Sequence, residues 1–382
     1  MKATTFRSVG ALLTVALSAV VLPASAAGAA EPRTAGTGAV DRATSQSFEQ
    51  LAEAVLTERT AALLDNRPAG RIAPAKKLKN KKARLSAKVT RTENSGLSTL
   101  RSRKSRLAGL GEAYTGADTR VTVDRTRVKG GQATVQVTET TTLTYKKVRG
   151  DEPATTGFQA HHELKFAAKP DGTWELTGIR PTDDGLPQIN QPTVAPAAPS
   201  VGATALPKAT RAAITRPARP QTKPAGKYNY KAMAAYAEKY WKNYNPAYRK
   251  FNDAGGDCTN FISQALKAGG WKHDSGVYSD YTNWWYDASY QSTSWVGANE
   301  WSWFTLHHKR ATNLSNVYYM GVGDIMQMDF DRDGSKDHTM IVSYRSSSGV
   351  PYLTYHSVNT YRKSVASIIA SNPNAYYYAY RT

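Results

Sequence analysis

Cysteine is almost absent from this 382-residue chain, with Cys258 the only one, so no disulfide can form within it. Acidic residues are scarce too, 30 against 50 Lys and Arg, which leaves a formal charge of +20. Long apolar runs are missing: beyond the first thirty residues nothing approaches the ~20 apolar residues that a membrane-crossing helix needs. No phosphate-binding loop, dinucleotide fingerprint or Cys/His zinc spacing is present. Nucleotide-dependent and zinc chemistry therefore have no motif to rest on, no cofactor is expected to be required, and nucleic acid is not an expected partner.

The one short apolar run lies at the start. Lys2 and Arg7 precede Val9–Leu22, and Pro23 with Ala24-Ser25-Ala26 follows. This reads as a secretory signal over residues 1–29, with cleavage after Ala26 or near Ala29. It predicts a secreted, extracellular protein, monomeric and free or held at the cell wall. Cysteines in an oxidising compartment usually pair. A lone thiol there is either a reactive group or a small buried hydrophobe, and its neighbours must decide.

The basic surplus is uneven, +14 over residues 31–226 and only +4 over residues 227–382. Outside a cell such a stretch would be drawn to anionic wall polymers, although solubility alone accounts for it equally well. Residues 30–44 are small and polar with no period, and are expected to be disordered. Phe48, Leu51, Val55, Leu63 and Leu64 recur at helical spacing, with Ser47 as N-cap, Gln50 three residues on, and Pro68 and Gly70 as the stop. Lys76–Arg106 is either a second helix or a solvated linker. From Tyr114 the period is two. Strands are expected at Thr119–Val123, Ala133–Thr138 and Thr142–Tyr145, with a Gly130-Gly131 turn between the first two. A further pair, His161–Ala167 and Thr173–Ile179, flanks Pro170-Asp171-Gly172. Residues 45–185 thus predict a small basic α+β domain, a helix on an antiparallel sheet, without a catalytic constellation. Residues 186–226, rich in Pro, Ala, Thr and Lys, read as a linker. Residues 227–382, which hold most of the tryptophans, read as a second α+β domain.

In that second domain Gly255-Gly256-Asp257-Cys258-Thr259-Asn260 leads into a helix whose apolar face is Phe261, Ile262, Ala265 and Leu266, closed by Gly269-Gly270. With Asp257 as N-cap, Cys258 falls in the first turn. There the free N–H groups and the helix dipole are expected to lower the thiol pKa and to stabilise an oxyanion. A thiolate needs a base. His161 and His162 belong to the first domain, His273 to a polar loop, and His307 and His308 to a helix near Trp301–Lys309. His338 opens the strand His338–Tyr344, after a strand Asp324–Phe330 and before a strand Tyr352–Ser357 that holds His356. Folding the last two as a hairpin brings position 338 opposite 356 or 357, with a one-residue register error open, so His356 is a candidate orienter of His338. Asn359 is the alternative third member, and Asn252 a candidate oxyanion donor.

Together the Gly-Gly-Asp-Cys-Thr-Asn-Phe-Ile-Ser-Gln-Ala-Leu stretch, Gly323-Asp324-Ile325 and Asp337-His338-Thr339-Met340-Ile341-Val342 closely resemble the bacterial putative amidase domain family. That family is related to NlpC-type and CHAP-type cell-wall cysteine peptidases. The resemblance covers residues 227–382 and implies a papain-like domain, with a helix carrying the cysteine packed on an antiparallel sheet. It implies Cys258 as nucleophile and His338 as base. Asp257, Asn260 and Ser263, which also match, read as capping and packing groups. The expected reaction is hydrolysis of an amide bond in peptidoglycan or a peptide. A transpeptidase with the same site and a wall-binding protein without turnover are the rivals. The basic first domain would anchor the enzyme or cover its cleft. Asp329, Asp331, Asp333 and Gly334 have the opening of a calcium loop, but Met340 stands where its closing glutamate belongs, so a structural Ca2+ competes with a plain acidic turn. Tyr281, Trp284, Trp285, Tyr286, Trp295, Trp301 and Trp303 read as core and groove wall, with a glycan or peptide platform as the alternative.

Overall fold

The computed structural model describes residues 40–65, 82–183, 185–192, 206–218, 226–252 and 256–382. The expected signal at 1–29, the Pro68–Gly70 stop and the linker stretches 193–205 and 219–225 lie outside the described residues.

In the N-terminal half, helix α1 (Arg42–Ala61) starts earlier than the Ser47 cap predicts, because Asp41 is the stronger start. Its Oδ1 accepts the Thr44 N–H at 2.8 Å, while the Ser47 hydroxyl donates to the Ala43 carbonyl. Residues 40–44, expected to be disordered, thereby enter the helix and its cap. A short strand β1 (Ala83–Leu85) leads to α2 (Ala87–Gly109), capped by Ser86, so the basic stretch is helical over most of its length. Four antiparallel strands follow: β2 (Tyr114–Lys129), β3 (Gln132–Tyr145), β4 (Thr155–Ala168) and β5 (Trp174–Pro181). The segments read as two strands at 133–138 and 142–145 are one. The alternation runs through Glu139 and Thr141 because these two inward polar groups satisfy each other, Thr141 Oγ1 donating to Glu139 Oε1 at 2.8 Å.

The C-terminal half opens with α3 (Tyr230–Tyr240) and α4 (Cys258–Ala268), then the short α5 (Thr293–Val296) and α6 (Ala298–His307). Strands β6 (Thr312–Leu314), β7 (Ile325–Asp329), β8 (His338–Arg345), β9 (Pro351–Tyr355) and β10 (Asn359–Ser364) precede α7 (Val365–Ser371) and β11 (Tyr376–Arg381). They pair in the order β6-β11-β7-β8-β9-β10, all antiparallel. Both faces of this sheet are covered. Ile325, Ile341 and Tyr380 meet Phe261, Leu266 and the tryptophan cluster on the α4 side. Met328, Met340, Val342 and Leu353 meet Leu186 and Ile368 on the other. Trp271, Trp284, Trp295 and Trp301 are fully buried, so much of the aromatic middle is core.

The two halves share one open eleven-stranded mixed sheet, and residues 37–382 form a single compact unit. Strand β4 makes the splice. One of its edges pairs with β3; the other pairs with β5 over 162–168 and with β10 at Asn359↔Gln159, Thr360↔Phe158 and Tyr361↔Gly157. The described parts of the stretch read as a linker are packed against this body. Leu186 and Asn190 are fully buried, and Arg211 and Ala213 bridge to Tyr378 and Asn316. Among the described residues no helix is long and apolar enough to cross a membrane.

Candidate active site

Helix α4 begins at Cys258, which places the thiol in the first turn as the sequence predicts. Asp257 holds the N-cap position, yet its side chain makes no capping bond. Its carboxylate is spent elsewhere. Oδ1 accepts the Phe251 N–H at 2.9 Å and the Asn260 amide at 2.9 Å, and Oδ2 meets His356 Nδ1 at 2.7 Å. Asn260 Oδ1 in turn accepts from the Trp295 indole, and Ser263 links Trp284 and Trp295. These polar residues lock α4 onto the tryptophan cluster through bonds that linear spacing does not reveal.

The thiol is 7 % exposed. Burial pushes its pKa up, against the expected lowering, because loss of water disfavours a thiolate. The backbone N–H of Thr339 and the hydroxyl and N–H of Thr259 oppose that rise by hydrogen bonding to the sulfur. The Thr259 hydroxyl also joins Thr339 Oγ1 at 2.9 Å, stitching α4 to β8.

His338 heads β8, and its ring turns to the sheet face opposite α4, between Phe330 and Tyr355. It is fully buried, and neither ring nitrogen has a hydrogen-bond partner among the described residues, the sulfur included. Burial, reinforced by the positive charge of Lys363, pulls its pKa down to about 3, so the ring is a neutral imidazole. Lys363 is itself buried, which with Arg103 pulls it down to about 7.

His356 lies on the α4 side, stacked between Tyr244 and Phe261 at 3.9 Å from each. The structure does not bring it to His338. Strands β8 and β9 pair Ile341 with Thr354, a register that carries on to Thr339 opposite 356 and His338 opposite 357. That odd offset puts the two histidines on opposite faces. Besides Asp257, His356 Nε2 meets the Tyr240 carbonyl at 2.9 Å. Both nitrogens are engaged by these partners, and neither is turned to Cys258. Asn252 and Asn359 are gathered by Tyr244, whose hydroxyl lies 3.2 Å and 3.0 Å from their Oδ1 atoms; neither is bonded to Cys258. Asn252, Tyr244 and Ser357 line a cavity of about 310 Å³ whose other wall is His161, Asp183 and Gln136 of the N-terminal half. Ser357 was not singled out by sequence, yet its Oγ accepts the Asp257 N–H at 3.0 Å, one residue before Cys258.

Asp329, Asp331 and Asp333 stand on the β7–β8 connection, each offering one oxygen within 4.8 Å of the others, and can coordinate a divalent ion. Burial and the neighbouring carboxylates push Asp329 up, and push Asp337 up to about 6. A cation there would relieve both, and it would sit one short turn from His338.

Residues 227–380 match the family described as "Putative amidase domain". Two curated relatives come from Bacillus subtilis (strain 168). "Uncharacterized protein YhbB" is 35% identical over 139 residues, 35% of this chain and 43% of the relative. "Uncharacterized protein YjcM" is 34% identical over 142 residues, 35% of this chain and 31% of the relative. The chain therefore spans less than half the length of these relatives. Among solved structures, the intermembrane space region of chloroplast protein ARC6 is 15% identical with a TM-score of 0.24, over 38% of this chain and 98% of that one. A likeness of that size says nothing about function.

Proposed function

We propose that this chain is a secreted cysteine amidase or peptidase with Cys258 as nucleophile and His338 as base, on a papain-like C-terminal domain. The carrying observation is the lone cysteine at the first position of α4, with the N–H of Thr339 directed at its sulfur beside the head of β8. The amidase-family match over the same residues supports it. The thiol gives its proton to the neutral His338 imidazole as sulfur attacks the amide carbon. N–H groups at the start of α4 donate to the developing oxyanion. Collapse expels the amine, which takes the proton from His338 and leaves a thioester. Water, deprotonated by His338, then releases the acid and restores the thiol. For this the head of β8 must unpair from Met328 and turn the imidazole from the Phe330–Tyr355 face to the α4 face, so the described geometry is a resting one. His356 serves as a positioning residue that holds Asp257 and the start of α4. The substrate is an amide of peptidoglycan or of a peptide, and the basic N-terminal half keeps the enzyme on anionic wall polymers.

The buried, upshifted thiol favours a second reading, a wall-binding protein without turnover. One experiment separates them. Purified protein and Cys258→Ala are incubated with peptidoglycan and short peptides while released amines are followed. Release by the first and not by the second supports the amidase; release by neither leaves the binding protein.

A further inference from the structure

Residues 185–190 form a strap that leaves the N-terminal half and crosses the candidate site. Gly185 lies against it so closely that a β-carbon there would come within 2.7 Å of the Ser357 carbonyl oxygen and 3.3 Å of His338 Nδ1. Its φ of +93° is also one that L side chains rarely adopt. Leu186 is fully buried on the same sheet face as His338, among Met328, Met340 and Tyr355. Ile189 is buried between α2 and Phe158 and Val358.

The strap is held unequally. On the N-terminal side Arg103 donates to the carbonyls of Ile189 and Gln191, the latter at 2.9 Å. The Asn190 amide reaches Thr60 Oγ1 and Glu139 Oε1 at 2.8 Å each. On the other side, among the described residues, no hydrogen bond joins 185–189 to residues 227–382. Gln188 is buried with both amide atoms unpartnered, as are both nitrogens of His338. Buried polar groups usually find partners. Here the C-terminal half presents a shaped, apolar groove with idle polar groups at its edge, and the strap fills it by fit alone.

We propose that this groove, from Ser357 and His338 to the pocket that buries Leu186, is a binding site for a peptide with glycine against His338 and a large aliphatic residue after it, and that the chain fills it with its own strap. The word substrate for such a peptide rests on the amidase reading; the occupancy does not. While the strap is seated, His338 stays closed to a peptide of the same shape.

The test uses the full chain and carbethoxylation of the His338 imidazole by diethylpyrocarbonate, read at that residue by mass spectrometry after digestion. Gly185→Val drives a side chain into Ser357, and Leu186→Ala removes the apolar anchor without a clash. A cooperative melt of the second shows that the fold is kept. Each should label His338 about tenfold faster than wild type, since local release exposes a buried imidazole. The synthetic peptide Gly-Leu-Pro-Gln-Ile-Asn should restore slow labelling, and its Leu→Asp counterpart should not. A wild-type rate in folded Leu186→Ala, or fast labelling that the peptide does not slow, overturns the proposal. Protection by the peptide with no amine released from any substrate would instead sink the amidase reading and leave the groove standing.

Discussion

The N-terminal half and the C-terminal site differ in how a buried ionisable side chain is met. In the first, Glu139 is fully buried with both oxygens engaged, by His162 at 2.9 Å and by Thr141 and Asn190 at 2.8 Å. Arg59 grips Glu93 through two bonds of 2.7 and 2.6 Å. Asp257 continues that pattern into the C-terminal half. His338 breaks it, fully buried with two idle nitrogens. An unmet buried polar atom costs about 1–3 kcal/mol. Groups with partners therefore hold this fold together, while a buried histidine with none is maintained against stability, which is consistent with the proposal that it acts as base.

That contrast can be broken at four points. The largest effect is expected on activity: His338→Gln should lower amine release by about a thousandfold without lowering the melting temperature. Unchanged turnover would remove His338 as base. Next, Asp257→Ala should cost about 3–5 kcal/mol in urea unfolding, because His356, Asn260 and the Phe251 N–H lose their shared acceptor. Glu139→Ala should cost a similar amount. A loss below about 1 kcal/mol at Asp257 would deny it a structural role.

Acid sharpens the comparison by less. Folded His338 takes its proton only near pH 3, against 6.5 ordinarily. The unfolded chain thus binds the proton first as pH falls, so stability is full above about 6.5 and declines from there toward pH 3. Between pH 7 and 5 wild type should lose on the order of 2 kcal/mol relative to His338→Gln. Equal losses in urea titrations at both pH values would show the ring to be solvated. The smallest effect is that of calcium. A fewfold excess over Kd should raise stability by about 1 kcal/mol, and Asp331→Asn should abolish the gain in a thermal melt.

The sequence disclosed the parts of the site better than their mutual placing. Local pattern was enough for Cys258 at the head of a helix and His338 at the head of a strand, because capping glycines and apolar periods act over a few residues. The facing of His338 and His356 was not legible, since it turns on a one-residue choice of register between β8 and β9. Nor was the direction of the thiol shift, because the helix dipole is local and burial is not. The strap was hidden for a related reason. Leu186, Gln188, Ile189 and Asn190 lie in a stretch with the composition of a linker, and only tertiary contacts bury them. Asp257 carried a correct position and a mistaken partner, since nothing near it in the chain announces His356.

The splice at β4 has a mechanical consequence. Three residue pairs join β4 to β10, whereas thirteen join β4 to β3. Tension applied across the two halves would concentrate on that short run and rupture it long before either half lost shape. Such a rupture would also bare the backbone edge of Asn359–Tyr361, a few steps from Ser357, leaving a raw border on which any passing extended chain could align.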